Sequence, residues 1–143
     1  MRLFIISFVF FPFLSFAQSI PKDVNVIIVK DVGFLEVCNA LLDSGYTISK
    51  KDNELQTVST ESKAYPKLWN ATYKINIRVK DSTAYISGTF TAAGGEIWKD
   101  DPIKNQTNRK GKTYPKSING YPFLILNNFA QSFKKEITYS ISN

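Results

Sequence analysis

The stretch ATYKINIRVK, from Ala71 to Lys80, limits the possible folds more than any other part of the chain. Ala71, Tyr73, Ile75, Ile77 and Val79 alternate with Thr72, Lys74, Asn76, Arg78 and Lys80. Successive side chains of an extended chain point to opposite faces, so this pattern sorts apolar groups to one face and polar or charged groups to the other. That is the signature of a strand in an antiparallel sheet that is solvated on one side. A turn at Asp81-Ser82 separates it from a second alternation, with Ala84, Ile86, Gly88, Phe90 and Ala92 set against Tyr85, Ser87, Thr89 and Thr91. The two stretches are predicted to pair as a long hairpin.

The apolar face of such a sheet needs a cover, and two segments have the period to supply one. In FLEVCNALLDSGYTIS, Phe34, Val37, Cys38, Leu41 and Leu42 fall on one stripe of a helix, with Glu36, Asn39, Asp43 and Ser44 off it. Gly45 supplies the left-handed residue that ends a helix, and Tyr46 begins the next strand. In PFLILNNFAQSFKKEITYSIS, Phe123, Leu126, Ala130, Phe133 and Ile137 form the second helical stripe, with Lys134 and Lys135 near the negative end of its dipole.

Shorter signals complete the order. VNVIIVK, from Val24 to Lys30, is a β-branched run, and strands near Tyr46 to Lys50 and Leu55 to Thr60 flank a polar turn at Asp52-Asn53. From Ala93 to Gly120 the periodicity stops, over a span longer than the roughly 12 to 15 residues at which a structureless loop becomes unusual. The expectation is an α+β two-layer sandwich, β-α-β-β-β-β-α, with an antiparallel sheet of about five strands and two helices on one face.

The unit GFLEVCNALLDSGYTISKKDNELQTVSTES resembles the repeated domains of BamC, the accessory lipoprotein of the outer-membrane β-barrel assembly machinery. The likeness covers about Val24 to Thr60, with LNNFAQSFKKEI matching the closing helix in position. It implies a helix-grip, TBP-like fold and a place in the bacterial envelope. The chain differs in having one such unit and no lipidation cysteine, and its SFAQS segment is similar to the leaders of secreted Bacteroidetes families.

MRLFIISFVFFPFLSFAQ has one early positive charge at Arg2, an apolar run and small residues at Ser15 and Ala17. This reads as a signal peptide, residues 1–17, cleaved after Ala17 to leave one exported domain over residues 18–143. The run is short of the about 20 apolar residues of a membrane span and contains Pro12, so no integral membrane segment is expected to remain.

The chain has no histidine and one cysteine, which excludes Cys-His dyads, Ser-His triads and most zinc sites. Cys38, in the middle of a buried stripe, reads as a core residue. No catalytic residue, metal or cofactor is therefore assigned. Lys and Arg total 18 against 12 Asp and Glu, an excess that favours anionic partners. For an exported chain these are an envelope protein or an anionic lipid or glycan surface rather than nucleic acid.

The first candidate binding set lies in the aperiodic span: Trp98, Lys99, Lys104, Arg109, Lys110, Lys112, Tyr114 and Lys116, where aromatics interleave with cations. The second is the outer row Lys74, Arg78 and Lys80. The functional expectation is a non-enzymatic binding or adaptor domain, with a small hydrophobic-ligand or lipid carrier as the alternative. A hydrolase using Glu96, Asp100 and Asp101 ranks third.

Overall fold

Period two in the sequence becomes strand pairing in the computed structural model, which describes residues 20–66, 70–94, 96–105 and 120–142. In chain order the elements are β1 (Val26–Val29), α1 (Phe34–Asp43), β2 (Ile48–Asp52), β3 (Thr57–Thr60), β4 (Lys63–Ala64), β5 (Ala71–Lys80), β6 (Thr83–Gly94), β7 (Glu96–Pro102), α2 (Gly120–Gln131) and β8 (Ile137–Ser140). The fold is α+β. An antiparallel sheet runs β2-β3-β5-β6-β1-β8, with β4 also paired to β5 and β7 also paired to β6.

The predicted hairpin is its centre. β5 and β6 pair over their length from Ala71 opposite Ala92 to Lys80 opposite Thr83. Asp81 and Ser82 both take positive φ, 50° and 54°, as a two-residue type I′ turn requires to match the twist of its strands. The register then carries one apolar row across four strands: Ile27 lies opposite Ile86, Ile86 opposite Ile77, and Ile77 opposite Val58. All four are buried.

Both helices add to that core. α1 contributes Val37, Cys38 and Leu41, and α2 contributes Phe123, Leu126, Phe129 and Ala130. Gly45, at φ 73°, ends α1 as expected. Its N–H donates to Leu42 O and that of Tyr46 to Leu41 O, the paired bonds of a Schellman cap. Leu42 departs from the predicted stripe: it is 55% exposed, at the margin of the arc in which Val37, Cys38 and Leu41 are buried.

α2 crosses the sheet at Gly88. A Cβ there would lie 2.6 Å from the backbone oxygen of Lys74, 2.9 Å from Ile103 Cδ1 and 3.3 Å from Leu126 Cδ1. The missing side chain is what lets Ile103 and Leu126 close over the strand.

Three expectations are corrected. The span 93–120 is not all loop, since β7 continues the meander against the far half of β6, with Trp98 opposite Ala92. Backbone pairing to an existing edge supplies what the aperiodic sequence does not advertise. The closing helix stops at Gln131 and Ile137 belongs to β8. After α2 the chain unwinds through bonds from Ser132, Phe133 and Lys134 N–H to Phe129, Ala130 and Gln131 O, with Lys134 at φ 54°. Ile137 keeps the helical spacing by coincidence, in the β-branched run ITYSI. The sheet consequently has eight strands instead of about five.

Candidate functional site

The polar residues of β5 share the sheet face turned away from both helices. Lys74, Arg78 and Lys80 are exposed, while the intervening apolar positions are buried. Thr57 stands opposite Arg78 on one side and Tyr85 on the other. Tyr85 is 38% exposed, so a phenol and a guanidinium lie side by side on the open surface. Ser59 and Ser87 flank Asn76 in the same way, and Ser87 Oγ donates to Asn76 O at 3.3 Å. Thr89 flanks Lys74.

A fourth cation joins them through a register shift. β2 carries a bulge between Ile48 and Lys50, which places Lys50 opposite Ser59 and Lys51 opposite Val58. Ser59 faces Asn76, so Lys50 belongs to the open face and Lys51 to the helix side. Among the described residues, none of Lys50, Lys74, Arg78 and Lys80 makes an ion pair. Along β2, β3, β5, β6 and β1 the one acid on this face is Asp52, whose Oδ1 accepts from the N–H groups of Glu54 and Leu55 at 3.0 and 2.9 Å. At about 3.4 Å per residue, Lys74 and Arg78 stand about 14 Å apart and Arg78 and Lys80 about 7 Å. The face is a cationic row among hydroxyls and amides, with the partly exposed Tyr85 ring beside Arg78.

The first predicted set is placed only in part. Trp98 and Lys99 lie on β7, as do Glu96, Asp100 and Asp101. Lys104 follows β7 and is half-buried. Arg109, Lys110, Lys112, Tyr114 and Lys116 lie outside the described residues. The register links the two sets, because Thr89 faces Lys74 on one side and Pro102 on the other. The basic row therefore meets β7 at Lys74. Lys50 and Tyr85 were not singled out from sequence. The bulge hid the face of Lys50, while the alternation already carried Tyr85 on the polar side.

On the helix side the cations have partners. Lys135 Nζ bridges to Glu36 at 2.8 and 3.0 Å and also donates to Asp31 O. That bond from Lys135 holds the Glu36 carboxyl below its usual range. Lys63 donates to Gly45 O at 3.1 Å with its ammonium 4.5 Å from the centre of the Tyr46 ring, and Lys51 lies 5.6 Å from the centre of Phe34. Tyr46 meets Tyr73 and Phe129 edge to face. Burial and the Tyr46 hydroxyl push the Tyr73 phenol far above its ordinary range. A groove of about 510 Å³ between α1 and the end of α2 is lined by Leu35, Glu36, Asn39, Asp43 and Phe133 among others.

Cys38 is buried, at 3% exposure. Among the described residues no cluster of three or more Asp, Glu, Cys or His could hold a metal ion, and no helix is long and apolar enough to cross a membrane. The features define an α+β fold with both helices on one side of the sheet and, on the other, a row of cations that makes no ion pair among the described residues. No protein-family model matches the chain, and no curated protein matches it.

Proposed function

We propose that this chain is a non-enzymatic binding domain of the bacterial envelope that takes an acidic glycan across the open face of its sheet. The observation that supports this reading is the row Lys50, Lys74, Arg78 and Lys80, exposed on one face without an ion pair among the described residues. Cations gathered on one face raise the local concentration of a polyanion and speed its capture. The neighbouring Thr, Ser and Asn side chains offer hydrogen bonds to sugar hydroxyls, and Tyr85 offers a ring for a sugar face to cover. A membrane-docking face would carry protruding apolar side chains. Here Val26 and Ile28 are half-buried, which favours the glycan over a lipid surface.

Location enters through the leader, whose cleavage after Ala17 delivers the chain outside the cytoplasm. Lys99 lies on β7, the strand that meets this face where Lys74 and Pro102 flank Thr89.

Binding of purified protein to immobilised polygalacturonate, measured against salt, tests the reading. The variant carrying Lys74→Glu, Arg78→Glu and Lys80→Glu is expected to bind at least about tenfold more weakly, with a shallower salt dependence. Unchanged affinity overturns the site. Loss confined to a variant reversed at Arg109, Lys110 and Lys112 transfers it to the connection before α2. Capture by phosphatidylglycerol vesicles without capture by polygalacturonate replaces the glycan with a lipid surface.

A further inference from the structure

The two ends of the sheet path are built differently. β2 ends it with Lys50, Lys51, Asp52 and a bulge, devices that keep a foreign strand from pairing. From Ile137 to Ser142 the chain reads ITYSIS, without one charge. Its inner side is occupied by β1, with Val26 opposite Ser140 and Ile28 opposite Thr138. The Asn25 side chain extends that ladder, donating to Ser142 O at 2.9 Å and accepting from Ser142 N–H at 2.7 Å.

Backbone direction follows from this pairing. Lys30 N–H donates to Glu136 O at 3.2 Å, so the hydrogen-bonded positions on the β1 side are Glu136, Thr138 and Ser140. Alternation along an antiparallel strand then turns the N–H and C=O groups of Ile137, Tyr139 and Ile141 outward. Among the described residues no hydrogen bond reaches these outward groups.

We propose that this edge is an interface between two copies of the chain, with β8 pairing antiparallel to its counterpart around a two-fold axis at Tyr139. The stretch Ile137-Thr-Tyr-Ser-Ile141 has a palindromic polarity centred on that residue. Pairing through Tyr139 sets Ile137 opposite Ile141 and Thr138 opposite Ser140, apolar with apolar and hydroxyl with hydroxyl. Tyr139 is also an outward-bonding position, so the centre demanded by side chains coincides with the one the backbone permits. The pairing covers Ile141, which is 62% exposed in one copy. A two-fold axis normal to the sheet keeps the same faces together. The two β5 rows then lie on one side of a continuous sheet, about 34 Å apart at about 4.8 Å per strand.

Five residues of edge pairing make a contact smaller than a standard stable interface, so the dimer is expected to be weak. Sedimentation velocity of the purified protein from about 5 to about 500 µM tests it. The protein is expected to pass from monomer to dimer over that range. The pair Thr138→Lys with Ser140→Lys, which sets like charges opposite each other twice, is expected to weaken dimerisation by about tenfold or more. The pair Thr138→Lys with Ser140→Glu sets opposite charges in the same places and is expected to restore it. A monomer at every concentration overturns the interface, as does a Lys-Lys variant that dimerises like the parent. A Lys-Glu variant that stays monomeric overturns the register. Should the variants fail to fold, amide exchange of the unaltered protein decides. Protection of Ile137, Tyr139 and Ile141 must rise with concentration, and concentration-independent exchange overturns the proposal.

Discussion

Lys50 and Lys51 are neighbours in sequence and lie on opposite sides of the sheet. Lys51 stands over Phe34, and on the same side Lys63 stands over Tyr46 and Lys135 bridges to Glu36. Lys50, with Lys74, Arg78 and Lys80, faces solvent with no ion pair among the described residues. The difference teaches how one sheet divides its work. On the helix side each cation named touches a ring, a carbonyl or a carboxylate of a neighbouring element. On the open side the charge of Lys50, Lys74, Arg78 and Lys80 is left available among the described residues, which is the physical condition for recruiting an anion from outside.

If that division is real, the most damaging changes belong on the helix side. Gly88→Ala would set a Cβ against Lys74 O, which is backbone and cannot swing aside, and against Ile103 and Leu126. The expected loss is about 1 to 3 kcal/mol, in the range of overpacked cores, read as a lower urea midpoint. A variant within a few tenths of a kcal/mol of the parent would show that α2 is free to lift from β6. The closed side would then be less closed than its packing indicates.

The next effect is electrostatic. Lys135 lowers the folded pKa of Glu36 through their direct bond. The depressed value means that the carboxylate stabilises the fold at pH values above its unfolded pKa of about 4.3. That contribution is lost as pH falls through the lower folded value. Glu36→Gln is therefore expected to melt below the parent near neutral pH and to converge with it in acid, by thermal melts from pH 7 down to pH 2.5. A gap that persists unchanged in acid would show that the charge of Glu36 is not what separates the two proteins, since Gln can still accept from Gly33 N–H as Glu36 Oε2 does at 3.5 Å, and would remove Lys135 from the fastened set.

How far the sequence discloses this arrangement depends on what each residue answers to. Period two in Ala71 to Ala92 is a local pattern, and the turn residues Asp81 and Ser82 agree with it, so the central hairpin and the face of Lys74, Arg78 and Lys80 are legible directly. So is Cys38, whose stripe partners Val37 and Leu41 lie within one helical turn. β7 is not legible, because its pairing is supplied by the free edge of β6 rather than by a pattern in EIWKDDP. Ile137 misleads for the opposite reason, matching a helical period that the chain abandons at Gln131. Lys50 needs the bulge in β2 to reach its face, and a bulge is a property of two strands together. The acid trio Glu96, Asp100 and Asp101 shares one strand, while the cations from Arg109 to Lys116 lie beyond the described residues.

The smallest effect gives the sharpest contrast, because it compares adjacent lysines. Lys51→Ala removes a cation from the face of Phe34 at the start of α1, and an exposed contact of this kind is worth about 0.5 to 1 kcal/mol. Lys50→Ala removes a side chain whose ammonium has no ion-pair partner among the described residues, and such surface changes fall within about 0.5 kcal/mol of zero. In binding the order should invert: Lys50→Ala weakens capture of polygalacturonate while Lys51→Ala leaves it nearly unchanged. Urea unfolding and a binding isotherm on the same two variants read both quantities. If the two lysines lower binding equally, the polyanion responds to net charge alone and the division between faces has no functional meaning. If only Lys50 does, the bulge that separates them is what assigns each lysine its role.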